Sequence, residues 1–388
     1  MIDLSKSAVE RRALGFAEHR TTDADLVDRD ARMVWSTLIE PGDGVAGALI
    51  ATYGARPALE LALGEDTPRT AARELTEGRR RWLPRTDDVE SAVAAAVRAG
   101  AEVMVPVDAD WPHRLDALGM HAPPCLWVRG SRSAVSLDAR HLSVVGARAA
   151  TSYGQYVVGD VVAPLAASGI VIHSGGAYGI DGMAHESALA VGGRTVAWLA
   201  GGVDRPYPSG HRDLLRRIAE GPGAVVSDVP CGAAPTKWRF LARNRLIAAA
   251  GDAVVVIEAG WRSGSLNTAS HAAQLGRPLG AVPGPVTSPA SAGCHRLMRE
   301  HDAQCVTGAD DVAEMLGVSA ASERLFDDAP SGELTRTLDA LSVRVPRPAE
   351  EIARRSGQSL EQVTALLGLL ALEGGVEKSS DGWRARPR

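Results

Sequence analysis

Cysteine is scarce in this chain and none of it is patterned. Cys125, Cys231, Cys294 and Cys305 stand far apart, with no CxxC pair. That argues against a disulfide framework or a zinc ribbon and for a reducing compartment. No apolar run is long enough to span a bilayer. The first residues (MIDLSKSAVERRALGF) lack the apolar stretch and small-residue cleavage site of a signal peptide. The chain therefore reads as soluble and cytoplasmic, without a membrane partner. A surplus of positive charge is missing too. The net charge is −5, so any nucleic-acid contact must come from a local patch. No GK[ST] occurs, which excludes a P-loop NTPase. The ten histidines are dispersed, and Asp181, His185 and Glu186 form a tight acid–histidine group. A metal nuclease needs a denser cluster, so no metal site is expected; the plainer role for Asp181 is a helix cap.

What is present suffices for two or three domains: 388 residues, 45% of them apolar. Residues 1–85 read as a helical N-terminal domain, with one-sided apolar spacing over 25–38. Glycines at 42, 44, 47 and 54 punctuate the next region. Residues 86–317 read as an α/β core. A helix is expected over 87–99, and strands over 103–107, 125–128, 142–145, 170–172, 195–199, 224–227, 253–257 and 279–282. From 142 onward the strands alternate with helices, among them 241–250 and 267–275. The alternation predicts a Rossmann-like, mostly parallel sheet with helices on both faces, its ligand beyond the carboxyl ends of the strands. Residues 318–333 are polar and proline-marked, a linker. Residues 334–388 carry three helical patterns and a two-strand wing with Lys378 and Arg384, the outline of a winged helix.

Three loops at strand ends carry the candidate chemistry. Ser174, Gly175, Gly176, Ala177, Tyr178 and Gly179 lie between a strand and a helix, where glycine N–H groups and a helix N-terminus favour an anion. Gly146 ends the preceding strand, and Arg148 follows it toward the same crevice. The glycines fall as GGxxG, not as the dinucleotide GxGxxG. Alone, the loop suits a nucleotide, a nucleic-acid backbone, or a glycine turn that only lets helix and sheet pack closely. The stretch 237–245 (KWRFLARNR) concentrates four cations, two aromatics and an asparagine, with Lys237, Phe240, Arg243, Asn244 and Arg245 as candidates. Cations follow phosphates and aromatic faces stack on unpaired bases. One of Trp238 and Phe240 is expected in the core. Finally, Gly264 and Ser265 can offer N–H and hydroxyl donors at a helix start.

Taken in order, VVGAR (144–148), SGGAYGID (174–181), FLARNRLIAA (240–249), SGSLNTA (263–269), AVPG (281–284) and GCHRLM (293–298) resemble six motifs of one bacterial family. It is the DNA-processing protein A family, also called DprA or Smf. The resemblance implies a Rossmann-like core that binds and protects single-stranded DNA, forms a homodimer, and helps load the RecA recombinase during natural transformation. It assigns no catalytic residue and no cofactor. By motif position, Arg148, Lys237, Phe240, Arg243 and Asn244 take the DNA-contact role, and the Gly175 loop forms a phosphate pocket. The chain departs from the motifs at Ala147 (serine in the family), Gly176 (leucine), Tyr178 (arginine), Leu241 (proline) and His295 (asparagine).

Two other classes compete. One is a nucleotide-binding or nucleoside-monophosphate-hydrolysing enzyme of the related Rossmann-like class, whose PGGxGTxxE motif sets an acid behind a glycine loop. The nearest counterpart here, 179–186, has a different spacing. The other is a structural adaptor that holds a partner through the winged tail and binds no DNA.

Overall fold

The computed structural model describes residues 2–16, 22–64, 72–136, 139–318, 332–372 and 375–386. Contacts divide the chain into two units, Met1–Val318 and Ser319–Arg388.

Among the described residues of the first unit nine strands form one sheet. They are β1 (Glu102–Met104), β2 (Leu126–Gly130), β3 (His141–Val145), β4 (Val171–Ser174), β5 (Thr195–Trp198), β6 (Ala224–Ser227), β7 (Ala253–Val256), β8 (Leu279–Ala281) and β9 (Gln304–Cys305). Their order is β1-β2-β6-β5-β4-β3-β7-β8-β9. β2 is antiparallel to both its neighbours; every other pair is parallel. The fold is thus α/β with a mostly parallel, Rossmann-like sheet.

The central strands read as unbroken apolar runs because both their faces are covered. Leu142 and Val144 of β3 point into one core with Val158 and Val161; Val145 points into the other with Leu246 and Val256. Helices Ser152–Ala167, Ile180–Ala190 and Arg212–Glu220 cover the first face. Helices Lys237–Ala250, Ser265–Gln274 and Ala292–Glu300 cover the second. The strand sequence proceeds from β3 through β4 and β5 to β6, then returns to place β7 on the other side of β3. The order reverses between β3 and β7, and at such a switch point a crevice opens beyond the strand ends.

Among the described residues six α-helices precede β1: Lys6–Ala13, Asp23–Leu38, Gly44–Tyr53, Ala55–Leu63, Ala72–Trp82 and Asp88–Ala99. All lie within the first unit. The second begins in a capping box between Thr22 and Asp25. Of the glycines read as punctuation, Gly42 and Gly54 do stand between helices, at φ 79° and 84°, while the other two act differently. Gly44 and Gly47 lie inside a helix, and Gly47 lets that helix press on the backbone of Met120. A Cβ there would sit 1.8 Å from the Met120 carbonyl oxygen.

The described residues of the second unit form three helices, Gly332–Ala340, Ala349–Ser356 and Leu360–Leu372. An antiparallel pair follows, β10 (Val376–Ser379) and β11 (Gly382–Ala385). Ile352, Val363, Leu367 and Val376 form its core. Of the expected linker, 319–331 lie outside the described residues, as does Glu373, the expected end of the third helix.

Candidate nucleic-acid interface

A crevice of about 840 Å³ opens at the β3/β7 switch point. Its first wall is the turn after β3. Gly146 is needed there because a Cβ would lie 2.5 Å from Ile180. Arg148 then emerges exposed, its guanidinium 5.4 Å from the ring centre of Phe240.

The second wall is helix Lys237–Ala250. It starts one turn earlier than the expected 241, because the Thr236 hydroxyl accepts from the Arg239 amide at 3.2 Å and caps the helix. Lys237, Phe240, Leu241, Asn244 and Ile247 therefore share one face, and that face lines the crevice. Neither aromatic of the stretch belongs to the core, contrary to expectation. Trp238 is 60% exposed, and Phe240 is half-buried between Arg148 and Tyr207, whose ring centre lies 5.5 Å away.

The third wall is the loop from Gly260 to Ser265, which leads into helix Ser265–Gln274. Asn244 Nδ2 donates to Asn267 Oδ1 at 3.2 Å and to the Gly264 carbonyl at 3.4 Å, tying this wall to the second. Ser265 is buried, its hydroxyl 2.7 Å from that of Ser263. Arg262 on this loop is exposed toward the crevice.

The glycine loop is not the open phosphate cradle expected from the sequence. Its anion is already present. The Gly175 amide donates to Asp181 Oδ2 at 3.1 Å, and the Gly146 and Ala177 amides lean on the same carboxylate. Burial pushes the Asp181 carboxyl up, against the pull of Arg243 and these amides. Arg243 closes the arrangement, donating to the Gly175 carbonyl at 2.7 Å and to the Trp198 carbonyl. Burial lowers its pKa to about 10. Gly176 is folded under Leu215 and Leu199. At Gly179 a Cβ would come within 2.2 Å of the Ala147 carbonyl oxygen. Tyr178 stands outside the crevice, 48% exposed, edge-on to His211 at 4.8 Å. The Ser174 hydroxyl is buried and donates to the Val144 carbonyl at 2.6 Å, lacing β4 to β3.

Two cations of the basic stretch face away from the crevice. Arg245, read as a DNA contact, is instead a buried structural ion pair with Asp228 at 2.7 Å and also donates to the His121 carbonyl. Arg239 is bound to Glu40. Arg148, Lys237 and Arg262 remain as the exposed cations around the opening, with Arg243 in the wall, its Nε buried without a partner. The one carboxylate among the lining residues is Asp181. Arg262 and Tyr207 also line the crevice and are not among the candidates to which the sequence points. Their signals were there: a cation beside Gly264, and an aromatic between Pro206 and Pro208.

A family model described as DNA recombination-mediator protein A matches residues 102–317. This chain belongs to that family. The putative DNA processing protein DprA of Mycobacterium tuberculosis is 43% identical over 326 residues, 79% of this chain and 82% of the relative. The fold superposes on the X-ray structure of DNA processing protein A from Streptococcus pneumoniae with a TM-score of 0.61. Identity is 28%, and the match covers 74% of this chain and 97% of that one. DNA processing protein A from Helicobacter pylori, solved to describe its single-stranded DNA binding mode, matches with a TM-score of 0.50 and 27% identity. That match covers 56% of this chain and 95% of the other. Among the described residues, no three His, Cys, Asp or Glu side chains are grouped to hold a metal ion, and no helix is long and apolar enough to cross a membrane.

Proposed function

We propose that the crevice holds single-stranded DNA as part of DNA processing in transformation or recombination. The observation that carries this is Phe240, half-buried between Arg148 and Tyr207 at the mouth of a crevice whose exposed charges are all cationic. An aromatic face flanked by cations takes an unpaired base and its phosphates. Arg148, Lys237 and Arg262 serve the phosphates, and Gly264 and Ser265 offer the start of their helix to another. The Helicobacter pylori relative, whose structure concerns single-stranded DNA binding, supports the reading.

The proposal extends to the finer roles that the motif resemblance implies: protection of incoming DNA, loading of RecA, a homodimer built on the sheet domain, and a cytoplasmic setting. No catalytic chemistry is part of the proposal. A nucleotide hydrolase needs a carboxylate free to move a proton in the crevice, whereas Asp181 is held by backbone amides. Glu258, at the end of β7, caps helix Ser152–Ala167 by accepting from the Thr151 amide and hydroxyl. The second unit fits a winged helix that contacts protein rather than DNA. Its third helix (LEQVTALLGLLAL) has no Lys or Arg, and Arg384 of the wing is paired with Glu377.

Fluorescence anisotropy with labelled oligonucleotides from four to twenty nucleotides is the test. Affinity should rise with length, fall with salt, and resist competition by mononucleotides. Flat affinity across lengths together with micromolar mononucleotide competition would instead establish a nucleotide site.

A further inference from the structure

Of the two tryptophans exposed among the described residues, one sits on the loop that forms the third wall. Trp261 is 58% exposed and directly precedes Arg262, which faces the crevice. Its ring is not loose. The guanidinium of Arg296 lies 5.1 Å from the ring centre, and Arg296 Nε is itself held by Glu300 at 2.7 Å. Beside this pair is a separate recess of about 190 Å³, lined by Leu266, Ser270, Arg296, Leu297 and His301. An exposed tryptophan leaves about half its apolar area in water, which is costly unless something covers it. Here the ring is pre-oriented by Arg296, and the residue that follows it, Arg262, is one of the cations of the opening.

We propose that Trp261, with Arg262 and Arg296, is a second base platform: one nucleobase of a strand leaving the crevice stacks on the indole. Arg262 takes a phosphate where the strand leaves the crevice, so that the base on Trp261 lies beyond a four-nucleotide strand seated on Phe240, and the Ser270 and His301 side chains offer polar edges in the recess. The inference rests on the single-strand reading of the crevice and lengthens its footprint on the β7 side.

The experiment titrates the full chain, Trp261→Ala, Trp261→Phe and Phe240→Ala with oligothymidylates of four and twenty nucleotides, with a thermal melt of each variant. Loss of one base–aromatic stack predicts about tenfold weaker binding of the twenty-mer to Trp261→Ala. Binding of the four-mer should be unchanged, and Trp261→Phe should retain most of the affinity. Phe240→Ala should weaken both lengths. Five tryptophans (Trp35, Trp82, Trp111, Trp127 and Trp198) are fully buried. The twenty-mer should therefore quench intrinsic fluorescence in the wild type and markedly less in Trp261→Phe. If Trp261→Ala binds the twenty-mer like the wild type, or loses both lengths equally at unchanged melting temperature, the second platform is wrong and the crevice reading stands. A wild type that binds neither length overturns both.

Discussion

Glu40 and Arg239, 199 positions apart in sequence, form a bidentate ion pair: Arg239 Nη2 donates to Glu40 Oε1 at 2.8 Å and Nε to Oε2 at 2.9 Å. Arg85 adds a third bond at 2.8 Å. Burial pushes the Glu40 carboxyl up, but the two guanidinium groups outweigh it and hold the carboxyl below its ordinary range. Arg239 lies in the first turn of the site helix, between Lys237 and Phe240 on the chain. The turn after the second helix thereby anchors the segment that carries the proposed base and phosphate contacts.

Glu40→Gln should cost about 1–2 kcal/mol of stability, since one partner stays partly solvated. It should also weaken single-strand binding without changing the salt slope, because Glu40 touches no phosphate. A changed slope would mean that Arg239 is itself a DNA contact.

Phe240→Ala should weaken binding about tenfold or more, one stacked base. Arg148→Ala, Lys237→Ala and Arg262→Ala should each lower the slope of log affinity against log salt by about 0.7. Arg245→Ala should behave differently. It strands the buried Asp228 carboxylate, so a stability loss of about 3–5 kcal/mol is expected with the slope unaltered. A slope that falls in Arg245→Ala at unchanged melting temperature would return Arg245 to the surface.

Gly175→Ala tests the filled loop. A Cβ there would lie 2.6 Å from both Arg243 Nη2 and Asp181 Oδ2. Both groups are buried, so the melting temperature should drop sharply. Asp181→Asn keeps the shape but removes the charge facing Arg243, and it too should melt lower. If Asp181→Asn melts like the wild type and binds DNA more tightly, the loop has room for a phosphate after all.

Stability should fall in mild acid. Trp198 Nε1–H donates to His173 Nδ1 at 3.0 Å, so the other His173 nitrogen carries the hydrogen that meets His141 Nδ1 at 2.6 Å. Thr195 gives its hydroxyl hydrogen to the Ile172 carbonyl, so His185 Nδ1 is the donor in its 2.7 Å bond to Thr195. Burial lowers His141 to about 4 and His185 to about 3, and holds His173 well below its usual value. The unfolded chain therefore binds protons first as pH drops through about 6.5. The stabilisation is whole above that pH and declines below it until the folded values are reached. At pH 5, His141 and His185 should each account for about 2 kcal/mol of the loss. Melting curves at pH 7.5, 6 and 5 are the check, and a flat series would contradict the neutral assignments.

The sheet was legible because strands such as 253–257 are buried on both faces and so appear as unbroken apolar runs closed by glycine. Half of the crevice was legible for a similar reason: Arg148, Lys237, Phe240 and Gly264 all follow strand ends. Sequence could not separate Lys237 from Arg239 and Arg245. In a helix each residue turns about 100° from the last, and the start set by Thr236 decides which ones face outward. The acids that claim the other two, Glu40 and Asp228, lie on elements whose position only the tertiary fold reveals. Asp181 was read as a helix cap because its spacing from Gly175 gives no sign that the chain doubles back to fill its own loop.

That self-filled loop shapes how the crevice would let go of a strand. Asp181 answers Arg243 inside the wall, so the side chains around the opening and the helix start at Gly264 and Ser265 are what is left to meet a polyanion. Each such contact is made and broken separately, exchanging with small ions in solution as it goes. A strand held this way peels off nucleotide by nucleotide, and a competitor that captures one freed end can draw away the rest. On the proposed function, that architecture would favour handover over storage.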